Sequence, residues 1–158
     1  MTTKNITIVA MIAAIYVLLT YLFAPLSFNY IQFRVSEVLT VLPFFTRLAI
    51  PGLFIGTLLA NLFSPAGIYD VIIGSLATLI AAYLTSLTKN KFLAPLPPVI
   101  VNAVVIGTLL GVIGGLPVSI PWLMIYVGLG ELGVCYFLGI PFIFILERYR
   151  PILPWSRK

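Results

Sequence analysis

The residues of this chain that could do chemistry are few and stand in an apolar background. The segment IQFRVSEV carries Arg34 and, three residues later, Glu37; two further acids, Asp70 and Glu131, interrupt later apolar runs. A charged side chain at the bilayer centre costs about 2.5–3.5 kcal/mol on insertion scales, so such residues normally face a cavity or a partner. We therefore take these four side chains as candidate ligand-binding residues.

Several other chemistries are excluded by composition. The chain has no histidine and one cysteine, Cys135, inside an apolar run where a small buried side chain is expected. Cys/His metal clusters, disulfides, and catalysis by Cys/His or Ser/His/Asp are therefore not expected. None of the lysines follows a glycine, so the phosphate-binding motif GxxxxGK is absent. We expect no cofactor, no metal and no enzyme activity, and any energised step must draw on a partner or an ion gradient.

The elements that position these residues must lie in lipid. Hydrophobic residues make up 61% of the chain and charged residues 8%, whereas soluble domains carry about 25% charged residues. The net charge of +5 is spread between apolar runs and forms no single basic face, so nucleic acid is not an expected partner. The composition predicts an all-α integral membrane protein with a single transmembrane domain over residues 1–158.

Four apolar runs are obvious candidates for spans, at residues 6–23, 71–87, 99–112 and 121–146. The first is too long for the apolar part of a signal peptide, and we interpret it as a retained span. Residues 35–63 contain Pro43 and Pro51 and allow three interpretations. They form one broken span, two short helices that turn at Arg47, or a re-entrant hairpin.

The distribution of basic residues favours two short helices there. With the N-terminus in the cytoplasm and two helices in 35–63, every lysine and arginine except Arg34 faces the cytoplasm. We therefore predict a six-transmembrane-helix bundle with short helices 2 and 3 and both termini cytoplasmic. A re-entrant hairpin would preserve the same orientation.

On this topology Glu37, Asp70 and Glu131 lie in the outer half of the membrane, together with Arg34. Further polar and aromatic side chains at the same level complete the candidate substrate-binding set, namely Gln32, Asn61, Tyr69, Trp122 and Tyr126. Such a pocket is acidic on balance and rimmed by aromatic rings. It would suit a small, flat ligand that is rich in hydrogen-bond donors or cationic.

Simpler structural roles compete with these assignments. Arg34 and Glu37 could pair with each other at i, i+3, and Asp70 could cap a helix. An interfacial belt would account for the aromatic residues Tyr16, Tyr69, Trp122 and Tyr126. Asn102, placed toward the cytoplasmic side, is expected to join two helices by a hydrogen bond.

Small residues recur at four-residue spacing and predict close helix packing. Two glycine series, Gly52/Gly56/Ala60 and Gly107/Gly111/Gly115, are expected to pack inside the molecule. A further step, from Ala10 to Ala14 in the first helix, could equally face a partner.

The segments IQFRVSEVLTVLPFF and AIPGLFIGTLLANLFSPAGIYDVIIGSLATLIAAYL resemble the QueT family of substrate-binding S-components of energy-coupling factor (ECF) transporters. The most specific parts are RxSE at residues 34–37 and ANL at residues 60–62. The resemblance implies a six-helix bundle in the cytoplasmic membrane of a prokaryote, with the ligand near the extracellular side under the loop joining helices 1 and 2. Asp70 and Glu131 match no motif of the family, so their roles rest on the topology.

The resemblance also implies a substrate and partners. The substrate would be a queuosine precursor, 7-aminomethyl-7-deazaguanine (preQ1) or queuine, with a guanine edge and a cationic amine. The partners would be a transmembrane coupling subunit, contacted through Ala10 and Ala14, and two ATPases. Three alternatives stay open. The chain could be an S-component for another vitamin, namely thiamine, biotin or folate. It could also be an ion-coupled carrier of a small cationic solute with Glu131 as proton relay, or a membrane enzyme that uses its carboxyls as acid and base.

Overall fold

The computed structural model describes residues 2–27, 33–113 and 117–153, and within them all regular structure is helical. The elements in chain order are α1 (Thr3–Leu22), α2 (Ala24–Ser27), a 3₁₀ helix (Val35–Phe44), α3 (Ala49–Asn61), a π-helical turn (Asp70–Gly74), α4 (Ser75–Leu87), α5 (Leu96–Ile113), α6 (Ile120–Leu132), a second π-helical segment (Gly133–Leu138), α7 (Gly139–Tyr149) and a final 3₁₀ turn (Arg150–Ile152).

Four helical stretches among the described residues are long and apolar enough to cross a membrane: Thr3–Leu22, Asp70–Leu87, Leu96–Ile113 and Ile120–Tyr149. They coincide with the four predicted spans. The last is 30 residues long because the second π-helical segment joins α6 to α7. Pro141 follows that segment and has no N–H to bond the preceding turn, which gives a reason for the wider turn there.

Residues 35–63 contain two short apolar helices with Arg47 in the turn between them, which agrees with the interpretation that the distribution of basic residues favoured. The Val35–Phe44 helix is 3₁₀ throughout, which the sequence did not predict. Ten residues rise about 20 Å as a 3₁₀ helix but about 15 Å as an α-helix. The tighter winding therefore lets a short segment match the length of α3.

The first glycine series packs α3 against α1, as predicted. A Cβ added at Gly52 would lie 2.9 Å from Cβ of Ile12, and one added at Gly56 would lie 2.9 Å from Cβ of Tyr16. The residue numbers rise together along both helices, so α1 and α3 run parallel. The absence of side chains at these glycines is what permits this close approach.

The second glycine series packs α5 against α6 in antiparallel orientation. A Cβ at Gly107 would lie 2.5 Å from Cα of Met124, and one at Gly111 would lie 2.5 Å from Cγ1 of Ile120. The predicted internal packing is confirmed for these two glycines. Gly115 lies outside the described residues.

The Val35–Phe44 3₁₀ helix lies at the centre of the bundle. Its buried residues include Glu37 and Thr40, and Leu39 and Leu42 share a core cluster with Ile8 of α1. Because this helix packs on α1, α4 and α7, a polar side chain placed on it lies inside the protein and away from lipid. Its central position is what brings Glu37 to the candidate site.

Candidate functional site

Five of the predicted site residues meet in one buried polar cluster: Arg34, Glu37, Asn61, Asp70 and Glu131. The exposed fraction of each is 6% or less. They come from four regions of the chain. Arg34 precedes the 3₁₀ helix and Glu37 is its third residue, Asn61 ends α3, Asp70 begins the first π-helical turn, and Glu131 lies at the end of α6. Sequence positions up to about a hundred residues apart are thus combined in one site. We call these five residues the polar cluster.

Arg34 faces Asp70 across the cluster. Nη2 of Arg34 lies 3.8 Å from Oδ2 of Asp70, and both side chains are buried. The guanidinium also lies within electrostatic range of the carboxyls of Glu37 and Glu131. Arg34 therefore interacts with Asp70 as well as with Glu37, the partner that the i, i+3 spacing suggested. Asp70 is the first residue of the π-helical turn and does not cap it, so the suggestion that Asp70 is a helix cap is wrong. Its carboxyl faces Arg34 instead.

Asn61 and Gly74 hold Asp70 in place. Nδ2 of Asn61 donates a hydrogen bond of 2.9 Å to the backbone oxygen of Asp70. A Cβ at Gly74 would lie 2.6 Å from Oδ1 of Asp70 and 2.8 Å from Nδ2 of Asn61, so a side chain there would displace one of these two groups. π-helical turns of this kind are frequent at functional sites. Our sequence reasoning missed Gly74, and the available signal was a glycine one turn after an intramembrane acid.

Glu37 is held by a tyrosine of α1. The hydroxyl of Tyr16 donates a hydrogen bond to Oε1 of Glu37, and Oγ1 of Thr40 donates one of 2.6 Å to the Glu37 backbone oxygen. Tyr16 is fully buried, so its assignment to an interfacial belt is wrong. Its spacing from Ile12 and Thr20, which lie on the same buried face of α1, could have identified it.

Glu131 has donors to both of its oxygens. Nδ2 of Asn102 donates to Oε1 over 3.0 Å, and Sγ of Cys135 donates to Oε2 over 3.5 Å. The prediction that Asn102 joins two helices is confirmed, as is the burial of Cys135. Because Asn102 bonds Glu131, Asn102 is also a neighbour of the polar cluster, which its position in the sequence did not indicate.

Three acceptor oxygens of the cluster have no hydrogen-bond partner among the described residues: Oε2 of Glu37, Oδ1 of Asn61 and Oδ1 of Asp70. A buried polar atom left without a partner costs about 1–3 kcal/mol, and more when it is charged. As the described residues form it, the cluster also carries more carboxyls than guanidinium groups. Its chemical complement is a ligand that brings N–H donors and positive charge.

A small cavity of about 40 Å³ adjoins the cluster at Asp70. Its other walls come from the segment after α3 and from the end of α5, and consist of Ser64, Pro65, Ala66, Ile106, Leu109 and Leu110. The walls on α5 are entirely apolar. The Asp70 carboxylate therefore supplies the charge of this cavity.

The three aromatic candidates are not brought to the polar cluster. Tyr69, Trp122 and Tyr126 are 54%, 56% and 37% exposed, and the rings of Trp122 and Tyr126 lie 6.3 Å apart on the surface of α6. Exposed aromatic residues at this level fit the interfacial-belt alternative. Their contact with a ligand stays a prediction, and Gln32 lies outside the described residues.

Comparison with known proteins identifies a family. The family model described as "QueT transporter" matches residues 6–148. The "Queuosine precursor transporter QueT" of Lactococcus lactis subsp. cremoris (strain MG1363) is 38% identical over 92 residues, which are 57% of this chain and 54% of that protein. The match thus spans about half the length of the curated relative. No solved structure matches the chain.

The family match covers nearly all of the chain and includes every residue of the polar cluster. It agrees with the long apolar helices of a membrane protein. The chain belongs to the QueT transporter family.

Proposed function

We propose that this chain is the substrate-binding subunit, or S-component, of an ECF-type importer, and that it binds a queuosine precursor from outside the cell. The observation that carries the proposal is a set of buried acceptor oxygens, on Glu37, Asn61 and Asp70, that have no hydrogen-bond partner within the described part of the chain. Such oxygens are costly inside a protein unless a ligand supplies donors. A deazaguanine with an amine substituent supplies both N–H groups and a positive charge.

The two glutamates have different roles in this proposal. Glu131 already receives hydrogen bonds from Asn102 and Cys135, whereas Glu37 keeps Oε2 for a ligand. Glu37 therefore accepts from the guanine edge, and Arg34 reads the ring carbonyl or orients Glu37. Glu131 adds negative potential that favours a cationic ligand.

We further propose six crossings with both termini in the cytoplasm. The core cluster contains Ile8, near the N-terminus, and Leu146, near the end of α7, which supports placing both termini on one side. At the end of α7, Nζ of Lys91 lies 2.9 Å from Oε2 of Glu147. The basic residues of the 88–91 and 147–150 segments then face the cytoplasm, in accord with the positive-inside rule.

Ala10 and Ala14 would contact the coupling subunit. Both are exposed on the face of α1 that turns away from α3, whereas Ala13 is buried. Small residues on an exposed helix face allow another helix to approach closely. The ATPases would act through this coupling subunit, because the chain has no phosphate-binding loop of its own.

Isothermal titration with the purified chain in lipid nanodiscs tests the substrate. We expect preQ1 or queuine to bind in the nanomolar range and guanine to bind more weakly. Thiamine, biotin and folate serve as comparison ligands. Tight binding of one of these, with no binding of any deazaguanine at micromolar concentration, would contradict the proposed substrate.

Uptake into proteoliposomes tests the dependence on partners. The chain alone should bind the ligand without transporting it, and uptake should require the coupling subunit, the ATPases and ATP. Uptake by the chain alone, driven by a proton gradient and independent of ATP, would instead support an ion-coupled carrier.

A further inference from the structure

The cavity beside Asp70 is separate from the part of the cluster assigned to the guanine edge. Its volume of about 40 Å³ exceeds the space of a water-sized group, which needs about 10–15 Å³. It is far smaller than a pocket for a whole small molecule, which starts at about 300 Å³. The volume of the cavity therefore matches a short substituent better than a whole ligand.

The chemistry of the cavity walls is divided. Ile106, Leu109 and Leu110 give it an apolar side, and Asp70 gives it one carboxylate. The two oxygens of that carboxylate have separate surroundings: Oδ2 faces Arg34 at 3.8 Å, and Oδ1 has no hydrogen-bond partner among the described residues. Oδ1, which also lies over Gly74, is thus the oxygen of this carboxylate that still lacks a donor among the described residues.

A short alkylammonium group is the complement of such walls. Its methylene would lie against the apolar side chains, and its N–H groups would donate to Oδ1 in a charge-assisted hydrogen bond. A neutral substituent without donors would leave Oδ1 unsatisfied, and an anionic one would be repelled.

We infer that the Asp70 cavity is the subsite for a cationic amine substituent of the ligand, which rests on the proposed function. Recognition is then divided in space. Glu37 selects the ring by its edge, and Asp70 selects the substituent by its charge. Asn61 and Gly74 fix the Asp70 backbone and carboxylate before the ligand arrives, so little ordering is needed on binding.

Titration with three probes that share one ring tests this division. They are 7-aminomethyl-7-deazaguanine, 7-cyano-7-deazaguanine and 7-deazaguanine. We expect the unaltered protein to bind the amine at least about 30-fold more tightly than the nitrile. Asp70→Asn should abolish that advantage and leave the affinity for the nitrile within about threefold.

A second variant tests the cavity without changing its charge. Ala66 is half-buried and lines the cavity, so Ala66→Leu should narrow it. This variant should lower the affinity for the amine probe by about tenfold or more and leave the affinity for 7-deazaguanine unchanged. Glu147→Gln removes a carboxylate at the other end of the bundle and should leave all three affinities unchanged.

The outcomes separate this inference from the proposed function. Failure of the unaltered protein to bind any of the three probes would overturn the proposed function. Equal binding of amine and nitrile would overturn the amine subsite alone. The subsite is also overturned if Asp70→Asn weakens all three probes equally, or if Glu131→Gln, rather than Asp70→Asn, abolishes the preference for the amine.

Discussion

Tyr16 donates its hydroxyl hydrogen to Oε1 of Glu37 and so ties the middle of α1 to the start of the central 3₁₀ helix. Both side chains are buried. The contact leaves the second carboxylate oxygen, Oε2, without a partner among the described residues. Glu37 is therefore fixed by one oxygen and presents the other.

Removing the tyrosine hydroxyl should weaken ligand binding. Tyr16→Phe leaves the ring in place but deprives a buried carboxylate of a donor, and a hydrogen bond to a charged group contributes about 1.5–3 kcal/mol. We expect the affinity for preQ1 to fall by at least about tenfold in isothermal titration. Tyr21→Phe is the matched control, because its hydroxyl contacts within the described residues are long, at 3.4 and 3.5 Å to two backbone oxygens. An unchanged affinity in Tyr16→Phe would show that ligand binding does not depend on the hydrogen bond from Tyr16 to Glu37.

Neutralising Glu37 should have a larger effect. Glu37→Gln keeps the shape but replaces one acceptor oxygen by a donor, and truncating one partner of a buried charged contact costs about 2–5 kcal/mol. Binding of preQ1 and of 7-deazaguanine should both weaken by about 30-fold or more. Glu147→Gln controls for loss of a charge elsewhere. Retention of affinity in Glu37→Gln would remove Glu37 from the ligand site.

Adding a side chain at Gly74 should displace Asp70 or Asn61 and so disturb the polar cluster. In Gly74→Ala the new methyl would lie 2.6 Å from Oδ1 of Asp70, closer than real side chains pack, so Asp70 or Asn61 must move. We expect a loss of preQ1 affinity of about tenfold or more in a protein that still folds. Size-exclusion profiles and thermal melts in detergent check the folding.

Gly128→Ala is the control for that substitution, because its methyl would meet only Cβ of Ala103, at 3.2 Å. A similar loss of affinity in both variants would mean that tight helix packing, rather than the position of Asp70, governs binding.

Bulky residues at the exposed alanines of α1 should separate transport from binding. Ala10→Leu and Ala14→Leu add volume on a surface that is open in this chain, so we expect preQ1 affinity to stay within about twofold. ATP-dependent uptake with the ECF module should be abolished if a helix of the coupling subunit packs there. Met11→Leu, on the same exposed face, changes little in volume and should transport normally. Equal loss of binding and uptake would assign the alanines to the internal fold.

The sequence by itself determined the class of protein, the four long spans and five members of the cluster. Lipid is a uniform solvent, so apolar runs of sufficient length and isolated charges within them are informative without knowledge of the fold. The glycine spacing likewise predicted close packing, because only residues without side chains let two helix backbones approach so closely.

The tertiary structure decided which polar groups meet. The pairing of Arg34 with Asp70, the bond from Tyr16 to Glu37 and the one from Asn102 to Glu131 all join distant segments. No local pattern encodes them, because each depends on the rotation and register of one helix against another. The 3₁₀ winding of Val35–Phe44 has the same origin, since contacts on several sides override the propensity of so short a segment.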